Sequence, residues 1–311
     1  MSGTRCRPGR TKETSHVMNA PLKLRYRTSA PLATVRHALT DAAALRVWLA
    51  EHAEVDLPDT FSFWGRYTPE GAGPNQRPLY ADDRTFRFSW QLSDVATTVE
   101  FGLAEESGDT VISLTQSDVP DWSDVVSDVT TPRGYLGTFW SLAVANLIDH
   151  VEGRETTPKC DYTATSELRA RVRIHATPGE IYESLMDPEQ FRQWFGDAIS
   201  VEPHVGGRWG MGHDFTDPNS VARIVDLESE RRVVLQWPGM VSTWELEGSA
   251  GGTRLTFVNS GFDEENPPFA DWTGWLSGLA SLRRFHELPE FRPSWISVEW
   301  PGLGDVVAAD K

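Results

Sequence analysis

The chain contains two segments of similar sequence that lie 146 residues apart. Residues 25–49 and 171–195 align without a gap, and seven of the 25 aligned positions are identical: Arg, Arg, Ala, Leu, Asp, Arg and Trp. This period is far too long for a solenoid, whose repeats span about 20–50 residues, and it matches the size of a whole domain. The 311-residue chain is therefore predicted to contain two related domains in tandem.

The order of hydrophobic patterns is the same in both halves. A strand is followed by two short helices, about six strands with alternating apolar residues, and one long helix with a wide apolar stripe, clearest in residues 132–151. We predict a disordered tail at residues 1–21, a first domain at 22–152, a linker at 153–167, a second domain at 168–288 and a C-terminal tail at 289–311. For the last segment we expect only packing by Trp295 and Trp300.

This order of elements predicts an α+β fold with two domains of the same architecture. In each domain a curved antiparallel sheet wraps around the long C-terminal helix, and two short helices follow the first strand. Asp41 and Asp187 stand where N-caps of the second short helices are expected. Because the concave sheet and the helix need not touch everywhere, we expect a cavity between them.

Charge and cysteine content exclude several classes of partner. The net charge is −16, and an acidic chain without a concentrated basic patch does not suit nucleic acid or anionic membranes. There is no apolar run of about 18 residues, so no membrane span is expected. The two cysteines, Cys6 and Cys160, fall in the tail and the linker, which is typical of a reducing cytoplasm.

The local motifs resemble a known superfamily. Residues 184–195, with the sequence SLMDPEQFRQWF, are similar to the entry motif of the START/SRPBCC helix-grip superfamily. More narrowly, they resemble homologues of the C-terminal domain of the 90-kDa heat-shock-protein ATPase activator. Residues 206–209 and 259–262 and Trp275 fit the same branch, and residues 39–41, Trp48, Gln116 and Trp140 match it more loosely. The resemblance implies the helix-grip fold over about residues 22–152 and 168–288, and says little about function.

Candidate ligand-binding residues are inward-facing aromatic and amide side chains. The chain has 13 tryptophans, which either fill large cores or line hollow ones. Gln116 and Asn259 occupy matched positions on the last strands, where a buried amide is either a polar anchor for a ligand or a hydrogen-bond partner of the closing helix. The full set is Trp209, Trp237, Trp244, Asn259, Trp275 and Arg208 in the second domain, and Trp64, Trp90, Gln116 and Trp140 in the first. Arg208 points either into a cavity or to solvent.

The sequence offers little for catalysis or metal binding. It has no nucleophile elbow, no nucleotide-binding glycine loop and no cysteine with a suitable partner. His204 and His213 do not have the spacing of a zinc motif. His213 with Asp214, or Glu245, would be the acid or base of an enzyme. We predict no catalytic residue, no metal and no cofactor.

Three functions are compatible with these features. The first is a cytoplasmic protein that binds a small hydrophobic ligand without covalent chemistry. The second is an enzyme similar to the polyketide aromatase/cyclases, which would need an ionisable side chain inside a pocket. The third is an interaction module directed at a chaperone or another protein. In each case the first domain could act as a packing partner, as a fused replacement for a homodimer.

Overall fold

The computed structural model describes residues 20–121, 131–249 and 251–308. The predicted N-terminal tail falls outside these residues, apart from residues 20 and 21. The described chain forms two α+β domains, each with a large antiparallel sheet and a long helix, as the sequence predicted.

The first domain begins with a strand and ends with a long helix. Its elements are β1 (Leu22–Thr28), α1 (Leu32–Thr40), α2 (Ala42–Trp48), β2 (His52–Asp56), β3 (Thr60–Trp64), β4 (Gln76–Ala81), β5 (Thr85–Leu92), β6 (Val95–Glu106), β7 (Asp109–Gln116) and α3 (Leu136–Val151). The Asp41 carboxylate accepts a hydrogen bond from the backbone N–H of Ala44, so the predicted cap starts α2.

The second domain has the same order of elements. They are β8 (Glu167–Ile174), α4 (Pro178–Met186), α5 (Pro188–Phe195), β9 (Ile199–Val201), β10 (Arg208–Met211), β11 (Val221–Glu228), β12 (Arg232–Trp237), β13 (Met240–Ser249), β14 (Gly252–Ser260) and α6 (Phe269–Glu287). Asp187 caps α5 by accepting from the Gln190 N–H, with Pro188 at the first helical position. Buried side chains of α3 and α6 join those of their sheets in one apolar cluster per domain.

The two sheets differ in how the strands after the short helices join them. In the second domain the strand order is β8-β14-β13-β12-β11-β10-β9, whereas in the first domain β2 and β3 form a separate two-stranded sheet. The side chain of Gln76 explains the difference, because its Oε1 accepts the Phe63 N–H at 3.1 Å. The amide thereby takes a bond that a direct β3–β4 ladder would use.

The C-terminal tail joins the first domain. Two strands, β15 (Trp295–Trp300) and β16 (Gly304–Val307), extend the first sheet in the order β16-β15-β1-β7-β6-β5-β4. β15 pairs with β1, and Trp300 is 6% exposed against α3. Gly137 makes this approach possible, since a Cβ there would lie 1.6 Å from the Trp300 ring.

The closing helices α3 and α6 pack side by side at the centre of the molecule. Two hydrogen bonds define which positions are equivalent: Glu152 accepts from the Ser29 N–H, and Glu287 accepts from the His175 N–H. These pairs match Ser29 to His175 and Glu152 to Glu287. The same 135-residue offset relates Thr138 to Thr273, whose hydroxyls lie 2.7 Å apart. Equivalent positions therefore meet across an approximate two-fold axis.

A buried ionic cluster joins the far ends of the two helices. The Asp149 carboxylate is fully buried and contacts Arg283 at 2.8 Å and Arg284 at 2.9 Å. Arg284 also contacts Glu152 at 2.8 Å. Burial raises the pKa of Glu152, but the hydrogen bond and charge of Arg284, with smaller contributions from Thr28 and Ser29, outweigh it and hold this pKa below its ordinary value. The interface between the two domains therefore contains a network of buried ion pairs.

Candidate functional site

The predicted aromatic residues of the second domain meet beneath α6. Trp209, Trp237, Trp244 and Trp275 are all buried, with ring centroids 5.2–6.1 Å apart in the contacting pairs. The void they enclose measures ≈ 10 Å³ and is lined by Leu185, Met186, Phe191, Trp209, Val233, Leu235, Trp244 and Trp275. A void of this size holds about one water molecule, so the cluster is close to a filled core.

Asn259 lies at the end of a short polar chain in this interior. The Trp237 indole N–H donates to the Ser242 hydroxyl at 3.0 Å, and that hydroxyl donates to Asn259 Oδ1 at 2.8 Å. The Nδ2 of Asn259 is buried and has no hydrogen-bond partner among the described residues. An unsatisfied buried donor costs about 1–3 kcal/mol, and an acceptor on a bound molecule would satisfy it.

In the first domain the matched amide is satisfied. Gln116 is fully buried, accepts from the Trp140 indole N–H at 2.6 Å and donates to the Thr97 hydroxyl at 3.0 Å. This is the hydrogen bond to the closing helix that the sequence left as one of two alternatives. Trp90 packs edge-on against Trp140, with centroids 5.8 Å apart. The additional methylene of glutamine relative to asparagine gives Gln116 the reach for this contact.

Two predicted site residues lie outside both interiors. Arg208 is exposed on β10, where it forms an ion pair with Glu202 at 2.6 Å and covers the Phe215 ring at 4.1 Å. Trp64 lies on the β2–β3 hairpin against the imidazole of His52, with centroids 5.6 Å apart. Neither side chain takes part in the aromatic clusters beneath the closing helices.

The candidate acid–base groups are at the surface. Asp214 is exposed and bonded to Thr216, which lowers its pKa, and the Glu245 side chain is 51% exposed. One hydroxyl–imidazole pair was not predicted: Ser184 Oγ lies 2.9 Å from His286 Nε2. Ser184 is fully buried and also bonds to the Glu180 carbonyl, so the pair links α4 to α6 and has no substrate access. Within residues 20–121, 131–249 and 251–308, no cluster of three His, Cys, Asp or Glu side chains is suited to a metal ion.

A larger space lies between the domains. This central groove has a volume of ≈ 440 Å³ and is lined by Tyr26, Thr138, Ser141, Trp194, Phe195, Gly196, Asp197, Gly274, Ser277, Gly278, Ser281, Trp295, Val298 and Val306. The groove floor on α6 consists of Gly274, Ser277, Gly278 and Ser281, which lie three or four residues apart and share one helix face. This spacing of small residues is the sequence signal that could have revealed the groove.

The polar groups of the central groove are mostly used internally. Ser281 Oγ donates to the Trp194 carbonyl at 2.6 Å, and Ser141 Oγ donates to the Gly137 carbonyl at 2.9 Å. Burial raises the pKa of Tyr26 to about 12, although its hydrogen bond with Ser141 acts in the other direction, so the phenol is neutral at pH 7. The walls thus present mainly rings, methyl groups and glycine backbone, with the exposed carboxylate of Asp197 as their charged group.

Taken together, these features define a two-domain helix-grip protein with filled grips and an apolar groove between them. Residues 175–287 match the family model described as Activator of Hsp90 ATPase homolog 1-like protein. The second domain is therefore an AHSA1-like domain, as its entry motif indicated. In the described part of the chain, no helix is long and apolar enough to cross a membrane.

Several solved structures are similar to part of the chain. The solution structure of the Aha1 dimer from Colwellia psychrerythraea is 22% identical, covers 40% of this chain and 98% of its own, and has a TM-score of 0.36. Protein EF2215 from Enterococcus faecalis, a conserved protein of unknown function, is 23% identical; the match covers 41% of this chain and 75% of EF2215, with a TM-score of 0.37. CalU16 from Micromonospora echinospora is 20% identical; the match covers 39% of this chain and 76% of CalU16, with a TM-score of 0.33. No curated protein matches the chain.

Proposed function

We propose that this protein binds a small, flat, apolar molecule in the central groove and performs no covalent chemistry on it. The observation that carries the proposal is the contrast in volume between the groove, ≈ 440 Å³, and the void beneath α6, ≈ 10 Å³. Sites for drug-sized ligands measure about 300–1,000 Å³. The central groove has this size without a rearrangement of the core, and it is more apolar than the groove of similar volume between β8 and the linker, whose lining includes four cations.

The groove walls support an apolar guest. Phe195 and Trp295 both line the groove with their rings, and Ser277 contributes only a small side chain from α6. Because the hydroxyls of Ser141, Ser281 and Tyr26 are already bonded within the protein, a polar ligand would lose hydrogen bonds to water and find few to replace them. A ligand with aromatic rings would instead bury apolar surface and contact the rings of the groove.

Other functions have weaker support. The polar groups beside the indoles of the two interiors are amides and hydroxyls, namely Gln116, Thr97, Ser242 and Asn259. An aromatase/cyclase-like reaction would need an ionisable group in that position. Ligand binding beneath α6 stays a prediction that requires the helix to move, and a chaperone-directed role rests on the AHSA1-like match alone.

The test is a titration with 1-N-phenylnaphthylamine, an uncharged fluorophore whose emission rises in apolar surroundings. We expect saturable binding by the native chain and at least tenfold weaker binding by Ser277→Trp, since the new indole fills the groove. Tenfold corresponds to about 1.4 kcal/mol. Ser229→Trp is the matched control, because Ser229 is exposed in a turn far along the sheet, and it should bind as the native chain does.

A second variant separates the groove from the interior. Val233→Ile adds one methyl group to the void beneath α6 and should leave binding unchanged. If Val233→Ile abolishes binding while Ser277→Trp does not, the ligand lies beneath α6 and the groove proposal is wrong. Absence of saturable binding by the native chain would also refute it.

A further inference from the structure

Strand β8 forms a long, open edge of the second sheet. It has eight residues, and among the described strands it pairs only with β14. Buried and exposed side chains alternate along it without interruption, and its pairing with β14 has no register shift. An edge of this kind presents unpaired backbone N–H and C=O groups that can accept another strand.

The other edges of the two seven-stranded sheets are blunted. β4 contains Pro78 and a register shift next to it, β9 has three residues and β16 has four. Proline, bulges and short length are the usual means by which proteins prevent strand addition. β8 has none of these three features; its one such device is edge charge, the exposed arginines, which repel a cationic strand and attract an acidic one.

The first domain contains a working example of strand addition at the matched position. β15 lies antiparallel on β1, the Arg27 N–H donates to the Ser294 carbonyl at 2.7 Å, and Lys23 contacts Glu299 at 2.6 Å. Because N–H groups alternate sides along a strand, the odd-numbered residues of β1 face the added strand. At the 146-residue offset, these positions correspond to Arg169, Arg171 and Arg173 in β8.

The charge on β8 selects the partner. Arg169, Arg171 and Arg173 are exposed; Arg169 contacts Glu167 at 2.8 Å, whereas Arg171 forms no ion pair with any residue of the described chain. Pairing β8 with the β8 of a second copy would bring arginine rows together, and like charges on facing strands are destabilising. A strand with carboxylates on that face would instead repeat the contact that Glu299 makes with Lys23.

There is space for such a strand. A groove of ≈ 450 Å³ runs between β8 and the linker and is lined by Val47, Tyr67, Glu155, Thr156, Thr157, Pro158, Lys159, Asp161, Arg169, Arg171, Val172 and Arg283. Its four cations outnumber the carboxylates of Glu155 and Asp161. The linker is held away from β8 by Lys159, which donates to carbonyls at the end of α2 at 2.7–3.1 Å.

We propose that β8 binds an extended acidic segment of a partner protein as an added antiparallel strand, in the manner of β15 on β1. Main-chain hydrogen bonds supply the affinity, and the arginine row selects alternating carboxylates. The site is separate from the central groove and does not depend on the function proposed for it.

The test uses a fluorescein-labelled octapeptide of alternating valine and glutamate, and its valine–lysine counterpart, with the full chain. We expect the glutamate peptide to raise the anisotropy saturably, at low salt more strongly than at high salt, and the lysine peptide to have no effect. Arg171→Gln should weaken binding at least fivefold. Arg171→Pro, which removes an outward N–H and leaves the β14 ladder intact, should weaken it further. Arg231→Gln, at an exposed turn, is the control and should change nothing.

Hydrogen exchange supplies an independent readout. With the glutamate peptide bound, the outward amides of Arg169, Arg171 and Arg173 should exchange at least tenfold more slowly, while those of β4 should not change. The proposal is overturned if both Arg171 variants bind like the native chain, if the lysine peptide binds equally well, or if protection appears at β4. If the β8 amides exchange more slowly at higher protein concentration without any peptide, a second copy of the chain binds β8, and this result also contradicts the proposal.

Discussion

Replacing Asp149 with asparagine should strongly destabilise the interface between the domains. The native carboxylate compensates two buried guanidinium groups, Arg283 at 2.8 Å and Arg284 at 2.9 Å, which are 3% and 9% exposed in their side chains. Removing one member of a buried ion pair costs about 3–5 kcal/mol. Arg284 keeps its contact with Glu152, and Arg283 keeps those with the Glu155 carbonyl and the Thr157 hydroxyl. We therefore expect the lower end, about 3 kcal/mol.

Urea unfolding followed by circular dichroism and tryptophan emission measures this loss. With an m-value of about 3 kcal/mol/M, the midpoint should fall by about 1 M. Asp226→Asn is the matched control, because it breaks an exposed pair with Arg232 and should cost less than about 1 kcal/mol. The quadruple change Asp149→Leu, Glu152→Gln, Arg283→Met, Arg284→Met should recover most of the stability, since it removes both carboxylates together with the two guanidinium groups that they pair with. Equal shifts for the two asparagine variants would refute the reasoning.

Two further predictions concern the same helices. Glu152 has a folded pKa below its ordinary value of 4.5, so its contribution to the free energy of unfolding is complete above that pH and is lost as the pH falls through the folded pKa. The urea midpoint of Glu152→Gln should therefore depend less on pH, between pH 5 and 3, than that of the native chain. Parallel plots of midpoint against pH for the two proteins would contradict the role of Arg284. Gly137→Ala places a methyl group 1.6 Å from the Trp300 ring, so β15 should detach and become sensitive to limited proteolysis. Gly274→Ala, whose new methyl has its nearest contact at 3.6 Å, is its control, and equal proteolysis of both would count against this packing.

The parts of the fold that the sequence predicted are those set by local physical chemistry. Asp41 and Asp187 cap helices because a carboxylate at that position satisfies an N–H that the helix leaves open. The alternation along β8 and the stripe on α3 follow from the need to bury one face. These signals extend over a few residues, and they recur in both halves of the chain.

The features that escaped prediction depend on contacts between distant segments. Nothing local in residues 295–300 indicates that they pair with β1, because that choice requires the edge of another domain to be vacant. The separation of β3 from β4 depends on where one amide, that of Gln76, is directed. Likewise, the one-methylene difference between Gln116 and Asn259 decides which amide is satisfied, and the size of the void beneath α6 is set by ring packing that no pattern encodes.

The ionic cluster shows what two domains in a single chain permit. Asp149 and Arg284 occupy equivalent positions across the approximate two-fold axis, as Thr138 and Thr273 do. In a symmetric dimer of identical chains, the same positions would bring aspartate to aspartate or arginine to arginine, which repel when buried. The observed pair therefore requires two domains of different sequence. The same asymmetry allows β15 to pair with β1, while its counterpart β8 pairs only with β14 among the described strands.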